Sequence, residues 1–126
     1  MTHFLLVAND DHALELFAAE LRKEKLITIH HAHSGLEAFS LIDTEKIEVV
    51  IAAQELGDSD GLTFVKKLAR KHPLISCAMV SALPPDEFHE ETEGLGLFMQ
   101  LPQNPGAKEV ARMMEILKSI HALMAI

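Results

Sequence analysis

The sequence predicts an α/β fold: a five-stranded parallel sheet, doubly wound, with helices on both faces. Two observations carry this expectation. Val49-Val50-Ile51-Ala52-Ala53 is an unbroken apolar run closed by a loop rich in Gly and Asp, the pattern of a strand buried on both faces at the centre of a parallel sheet. Around it, short apolar runs alternate with segments whose apolar residues recur at helical spacing, and parallel neighbours need such right-handed covering crossovers. In open sheets of this kind, ligands collect just beyond the carboxyl ends of the strands. The residue delivered there by the central run is Ala53, a methyl group.

Phe4 to Val7 reads as the first strand, ended by the polar Ala8-Asn9-Asp10-Asp11. Leu14, Phe17, Ala18 and Leu21 mark a helix, with Asp10 or Asp11 placed to cap it. Ile27 to Ala32 alternates as an edge strand would. Ser34-Gly35 opens a second helix, Leu36 to Ile42, with Ala38, Phe39 and Ile42 expected to face inward. After the central strand, Leu62, Val65 and Leu68 mark a third helix, with Lys66, Lys67, Arg70 and Lys71 on its exposed side and C-terminal end. Ile75 to Val80 is the fourth strand, and Pro84-Pro85 opens an acidic helix, Asp86 to Thr92, with Phe88 its large apolar residue. Phe98 to Leu101 is the fifth strand, and the last helix begins near Ala107. The expected architecture is the flavodoxin-like (βα)5 form of the doubly wound fold.

Composition narrows the function classes. A chain of 126 residues suits a single domain, 1–126, that buries roughly two thirds of its unfolded surface. A net charge of −8 argues against nucleic acid, because phosphate binding needs clustered Lys and Arg. The single cysteine, Cys77, lies in an apolar run and is expected to be buried, which fits a reducing compartment. No apolar run approaches a membrane span, and Met1-Thr2-His3 lacks the basic start of a signal peptide. A soluble, cytoplasmic domain is expected.

Five short motifs then fall in register. Leu5-Leu6-Val7, Gly35-Leu36-Glu37-Ala38, Leu56-Gly57-Asp58-Ser59-Asp60-Gly61, Ser81-Ala82 and Leu101-Pro102 follow the order and spacing of the receiver domain of bacterial response regulators, which the chain resembles from about Phe4 to Ile120. The resemblance implies a phosphoryl-acceptor switch in two-component signalling or a phosphorelay. A carboxylate after strand three takes phosphate, and an acidic pair after strand one holds magnesium. A Ser or Thr after strand four and a Lys after strand five hold the phosphoryl oxygens.

Carried over position by position, the acceptor falls on Ala53, the acidic pair on Ala8 and Asn9, and the lysine on Leu101. Only Ser81 keeps the family's residue, and Gly57 stands where the family usually has proline. A methyl group cannot act as a nucleophile. Three positions that offer one neutral amide oxygen do not suit magnesium. Leu101 cannot balance the charge of a phosphoryl group. No catalytic residue, metal site or cofactor is expected, magnesium included.

Other polar residues have plain readings. Asp10 and Asp11 suit a helix start, and Asp58 and Asp60 suit the turn before helix three. His30, His31 and His33 could bind zinc or nickel if the rings converged, but neighbouring strand residues point to opposite faces. Ser81 has no Ser-His-Asp arrangement around it, and the basic patch on helix three suits a solvated face.

The expectation is therefore a pseudo-receiver: an interaction module that kept the fold and lost the switch. Competing expectations are a small-molecule module using the emptied pocket of Ala8, Asn9, Ala53, Ser81 and Leu101, or an atypical receiver phosphorylated at a carboxylate such as Asp10 or Asp58. In the family, an aromatic on strand five moves with the hydroxyl after strand four. The match is Phe98, which lacks a hydroxyl and is expected to stay inward. On the last helix, Val110, Met113, Met114, Leu117, Ile120 and Met124 share one face. Ile116 and Leu123 widen that arc, so Ile116, Ile120 and Leu123 are expected to meet a protein partner or a second copy in a homodimer.

Overall fold

Strands β1 (Thr2–Val7), β2 (Ile27–Ala32), β3 (Val49–Ala52), β4 (Ser76–Val80) and β5 (Leu97–Leu101) alternate with helices α1 (Glu15–Leu21), α2 (Gly35–Thr44), α3 (Gly61–Lys71), α4 (Pro85–Glu91) and α5 (Ala107–Met124). The computed structural model describes residues 2–10 and 12–124, with side chains of residues 2–10 and 12–120. All strands pair in parallel in the order β2-β1-β3-β4-β5. The α/β, flavodoxin-like expectation holds: β3 is central and completely buried, and β2 is an edge.

The core follows from the apolar runs. Phe4, Leu5, Val7, Val50, Ile51 and Ala52 are fully enclosed. Phe17 and Leu21 of α1 and Met113 of α5 close one side, where α1 packs against α5. On α3, Phe64 is buried beside Val65 and Leu68, while Leu62 is only partly covered. The α3 backbone lies against the end of β3, where a Cβ at Gly61 would overlap the Ala53 carbonyl oxygen. That approach turns Phe64 into the core. Cys77 is buried as expected, and burial pushes its thiol up to about 12.

Three local expectations change. Asp10 does not cap α1 itself; its Oδ1 accepts from His12 N at 2.8 Å and Ala13 N at 3.2 Å, closing a turn before the helix starts at Glu15. Asp11, the other candidate cap, lies outside the described residues. Phe39 is only partly buried, because it packs on the flank of α3: its ring is 5.1 Å from Phe64, with Lys71 Nζ 5.0 Å from its centroid. On α5, Ile116 and Ile120 are partly buried against the core, so the arc read as exposed is half covered. The side chain of Leu123 lies outside the described residues. Among the described residues, Leu26, Leu36 and Leu74 are the large apolar side chains that stand most open to water.

Candidate functional site

The carboxyl ends of the strands form the upper rim of the sheet, and backbone hydrogen bonds shape it. Val7 O accepts from Ala53 N at 2.8 Å, and Glu55 O accepts from Asn9 N at 2.9 Å, tying the loop after β3 to the end of β1. Gln54 O accepts from Gly61 N at 2.9 Å, and Leu56 N donates to Ser59 O at 3.0 Å. The loop therefore folds back on itself, and Glu55 and Asp60 form an antiparallel bridge. Gly57 makes the turn with φ +89°, a left-handed conformation that proline cannot take. A side chain there would also press on Asn9 Oδ1 and His33 O, each 3.1 Å from its Cβ.

A cleft of about 510 Å³ opens over this rim, lined by Asn9, Asp10, Ala53, Gln54, Glu55 and Gln103 among others. Gln103 Nε2 reaches Gln54 Oε1 across it at 3.5 Å. Among the described residues its charged groups are the carboxylates Asp10 and Glu55, with no Lys, Arg or His in the lining. Such a lining favours hydrogen-bond donors and cations over phosphate.

The five residues expected to bound one pocket are distributed differently. Asn9 and Ala53 line the main cleft. Ala8 turns to the opposite side of β1, into a cleft of about 200 Å³ shared with Leu14, Arg22 and His31. Ser81 is buried and lines a third cleft, about 270 Å³, with Met79, Leu83 and Phe88. Leu101 is completely buried at the end of β5, where its carbonyl accepts from Ser81 N at 3.0 Å. Ala8, Asn9, Ala53 and Ser81 lie just past the strand ends, where the chain turns into the loops, and the turns send Ala8 and Asn9 to different clefts. Phe98 is partly buried and packs against the core.

Asp58 and Gln100 have larger roles than their sequence positions suggested. Asp58 sits on the loop after β3 yet caps α2: Oδ1 accepts from Gly35 N at 2.8 Å and Oδ2 from Leu36 N at 3.1 Å. These two backbone N–H groups, Gly35 first, hold its carboxyl below the usual carboxylate range. Asp60 caps α3 through Thr63 N at 2.7 Å, which lowers its pKa in the same way. Gln100 on β5 donates from Nε2 to Leu83 O at 2.8 Å and Ser81 O at 3.2 Å, pinning the loop between β4 and α4. The roles of Asp58 and Gln100 rest on contacts across more than fifteen residues of sequence, whereas the Asp60 cap is local.

Residues 4–115 match the model of the response regulator receiver domain. The chain belongs to that family. It is a receiver domain of two-component signalling. The receiver is also 25% identical over 109 residues to a sensor kinase, CckA, of Brucella abortus (strain 2308); the match covers 85% of this chain and 12% of that protein. A crystal structure of a putative response regulator from Chloroflexus aurantiacus J-10-fl is 26% identical with a TM-score of 0.77, covering 93% of this chain and 98% of that one. The chemotaxis response regulator CheY4 of Vibrio cholerae shares the fold at 16% identity, with a TM-score of 0.79 over 91% of this chain and 97% of its own. Among the described residues no helix is long and apolar enough to cross a membrane.

Proposed function

We propose that this receiver is a pseudo-receiver: a protein-interaction module in bacterial two-component signalling that works without phosphorylation of its own. The observation that carries the reading is Ala53, a buried methyl group at the carboxyl end of the central strand, where the family's acceptor carboxylate would stand. Leu101 supports it. A fully enclosed leucine replaces the lysine that would reach a phosphoryl group.

The residues at the matching positions do not fit magnesium. Ala8 and Ala53 supply no donor and Asn9 only a neutral amide oxygen, whereas magnesium is held through carboxylates. Asp10 lines the cleft, but one of its oxygens already accepts two backbone N–H groups. Among the described residues no group of three or more His, Cys, Asp or Glu gathers around a common point. Gln100, by pinning the loop that carries Ser81, favours one fixed arrangement of the signalling face.

The test pairs metal with phosphodonor. A receiver with a magnesium Kd near 1 mM would gain about 1.4 kcal/mol at roughly 10 mM ion, raising Tm by about 3–6 °C. The expected result here is no specific shift and no labelling by acetyl phosphate, in wild type and in Ala53→Asp alike. Saturable magnesium stabilisation, or a phosphoryl group located on Asp10 or Asp58 by mass spectrometry, would overturn the reading.

The cleft supports a second reading, a small-molecule module. Its size and its amide and carboxylate lining suit a polar, hydrogen-bond-donating ligand. A ligand found beside Ala53 would favour this reading over the first.

A further inference from the structure

We propose that His3 and His30 form a two-histidine site for a divalent transition-metal ion, zinc by its chemistry, across the edge of the sheet. Thr28 is the register partner of His3, and His30 lies two residues further along β2, so both rings stand on the same face. His3 Nδ1 and His30 Nε2 are 3.1 Å apart. The rings lie 5.4 Å apart between centroids and 21° from parallel. A neutral imidazole has one N–H and one bare nitrogen, so this contact is an N–H donor against a lone pair, with one proton between two ligands.

The spacing suits a chelate. With zinc–nitrogen bonds of about 2.0–2.1 Å, donors this far apart subtend roughly 100° at the metal, near the tetrahedral angle. Binding moves the shared proton through water to the other nitrogen of the ring that carried it, so both imidazoles stay neutral, and turns the two rings so that their lone pairs meet at the ion. Both residues are only part-buried, on the outermost strand pair, so the ion reaches them from water. Imidazole pairs select zinc and its neighbours over magnesium and calcium, which prefer oxygen. The chain's net charge of −8 favours cation approach. No third His, Cys, Asp or Glu joins the pair among the described residues, so water completes the coordination and the ion exchanges readily. This is not the local run of His30, His31 and His33 at the end of β2. The partner of His30 comes from β1.

Zinc titration by calorimetry, with cobalt as a spectroscopic substitute, tests the site on wild type, His3→Gln, His30→Gln and the control His89→Gln. Far-UV circular dichroism establishes that each variant is folded. The expected result is saturable binding that raises Tm, weakened at least about tenfold in each of the two site variants and unchanged in the control. Proton NMR should show cobalt shifting the ring protons of His3 and His30 together. No saturable zinc binding, equal stabilisation by magnesium, or affinity unaffected by His30→Gln would overturn the proposal.

Discussion

Gln100 and Leu83 are joined by a hydrogen bond of 2.8 Å that ties the penultimate residue of β5 to the loop entering α4. The same side-chain amide reaches Ser81 O at 3.2 Å, and Ser81 Oγ accepts from Leu83 N at 3.1 Å. Both acceptors of the Gln100 amide are carbonyl oxygens, so its NH2 must face them. A loop that would otherwise rely on Phe88 packing is held from both ends.

Gln100→Ala removes this tie and leaves Leu83 O and Ser81 O to water. Stability should fall by about 1 kcal/mol, the net worth of an ordinary hydrogen bond or slightly more. The larger effect should be local. Amide hydrogen exchange at residues 81–84 and in the first turn of α4 should quicken well beyond that of β3. Exchange unchanged in this loop would remove the support that Gln100 lends to a fixed signalling face.

Asp58 makes stability depend on acid in a defined direction. Its folded pKa is depressed below 3.8 by the N–H groups of Gly35 and Leu36, so its stabilising effect is fully present above that value. It is lost as pH falls through the depressed pKa. Asp58→Asn should therefore be less stable than wild type at about pH 5 and above, with the gap closing below pH 3.8. Urea midpoints measured across this range would check it, and a gap independent of pH would contradict the capping role.

The loop after β3 and the first residue of α3 should resist substitution at their glycines. Gly57→Ala places a Cβ 3.1 Å from both Asn9 Oδ1 and His33 O at φ +89°, and should cost about 1–3 kcal/mol. Gly57→Pro, the family's usual residue, should cost more, because a proline ring fixes φ near −65°. Gly61→Ala forces α3 away from the Ala53 carbonyl oxygen and should cost about 1–3 kcal/mol through the shift. Chemical denaturation of the three variants gives the ranking.

Ile116 and Ile120 remain the proposed contact of α5 with a partner, together with Leu123. Both isoleucines are half covered by the core, so Ile116→Glu/Leu123→Glu should lower Tm as well as weaken any homodimer. Sedimentation equilibrium should find wild-type self-association and its loss in the variant, at temperatures where circular dichroism shows both folded. A wild type that stays monomeric at high concentration would leave a foreign partner or a following segment of a longer chain for this face.

The order and type of the ten elements in the described residues were legible in the sequence. Apolar runs marked β1, β3, β4 and β5, alternation marked β2, helical spacing marked α1, α2, α3 and α5, and Pro84-Pro85 before an acidic run marked α4. The sequence also placed Ala53 at the end of the central strand, since that position depends on where the apolar run stops. The tertiary structure alone decided which residues share a cavity. Ala8, Asn9 and Ser81 lie in the loops just past the strand ends, whose turns are set by hydrogen bonds to other loops, so with Leu101 they separate into three clefts and the core. Asp58 and Gly35, Gln100 and Leu83, and His3 and His30 are 23, 17 and 27 residues apart. No local pattern encodes such pairs; they meet because parallel strands in register bring distant loops and faces together.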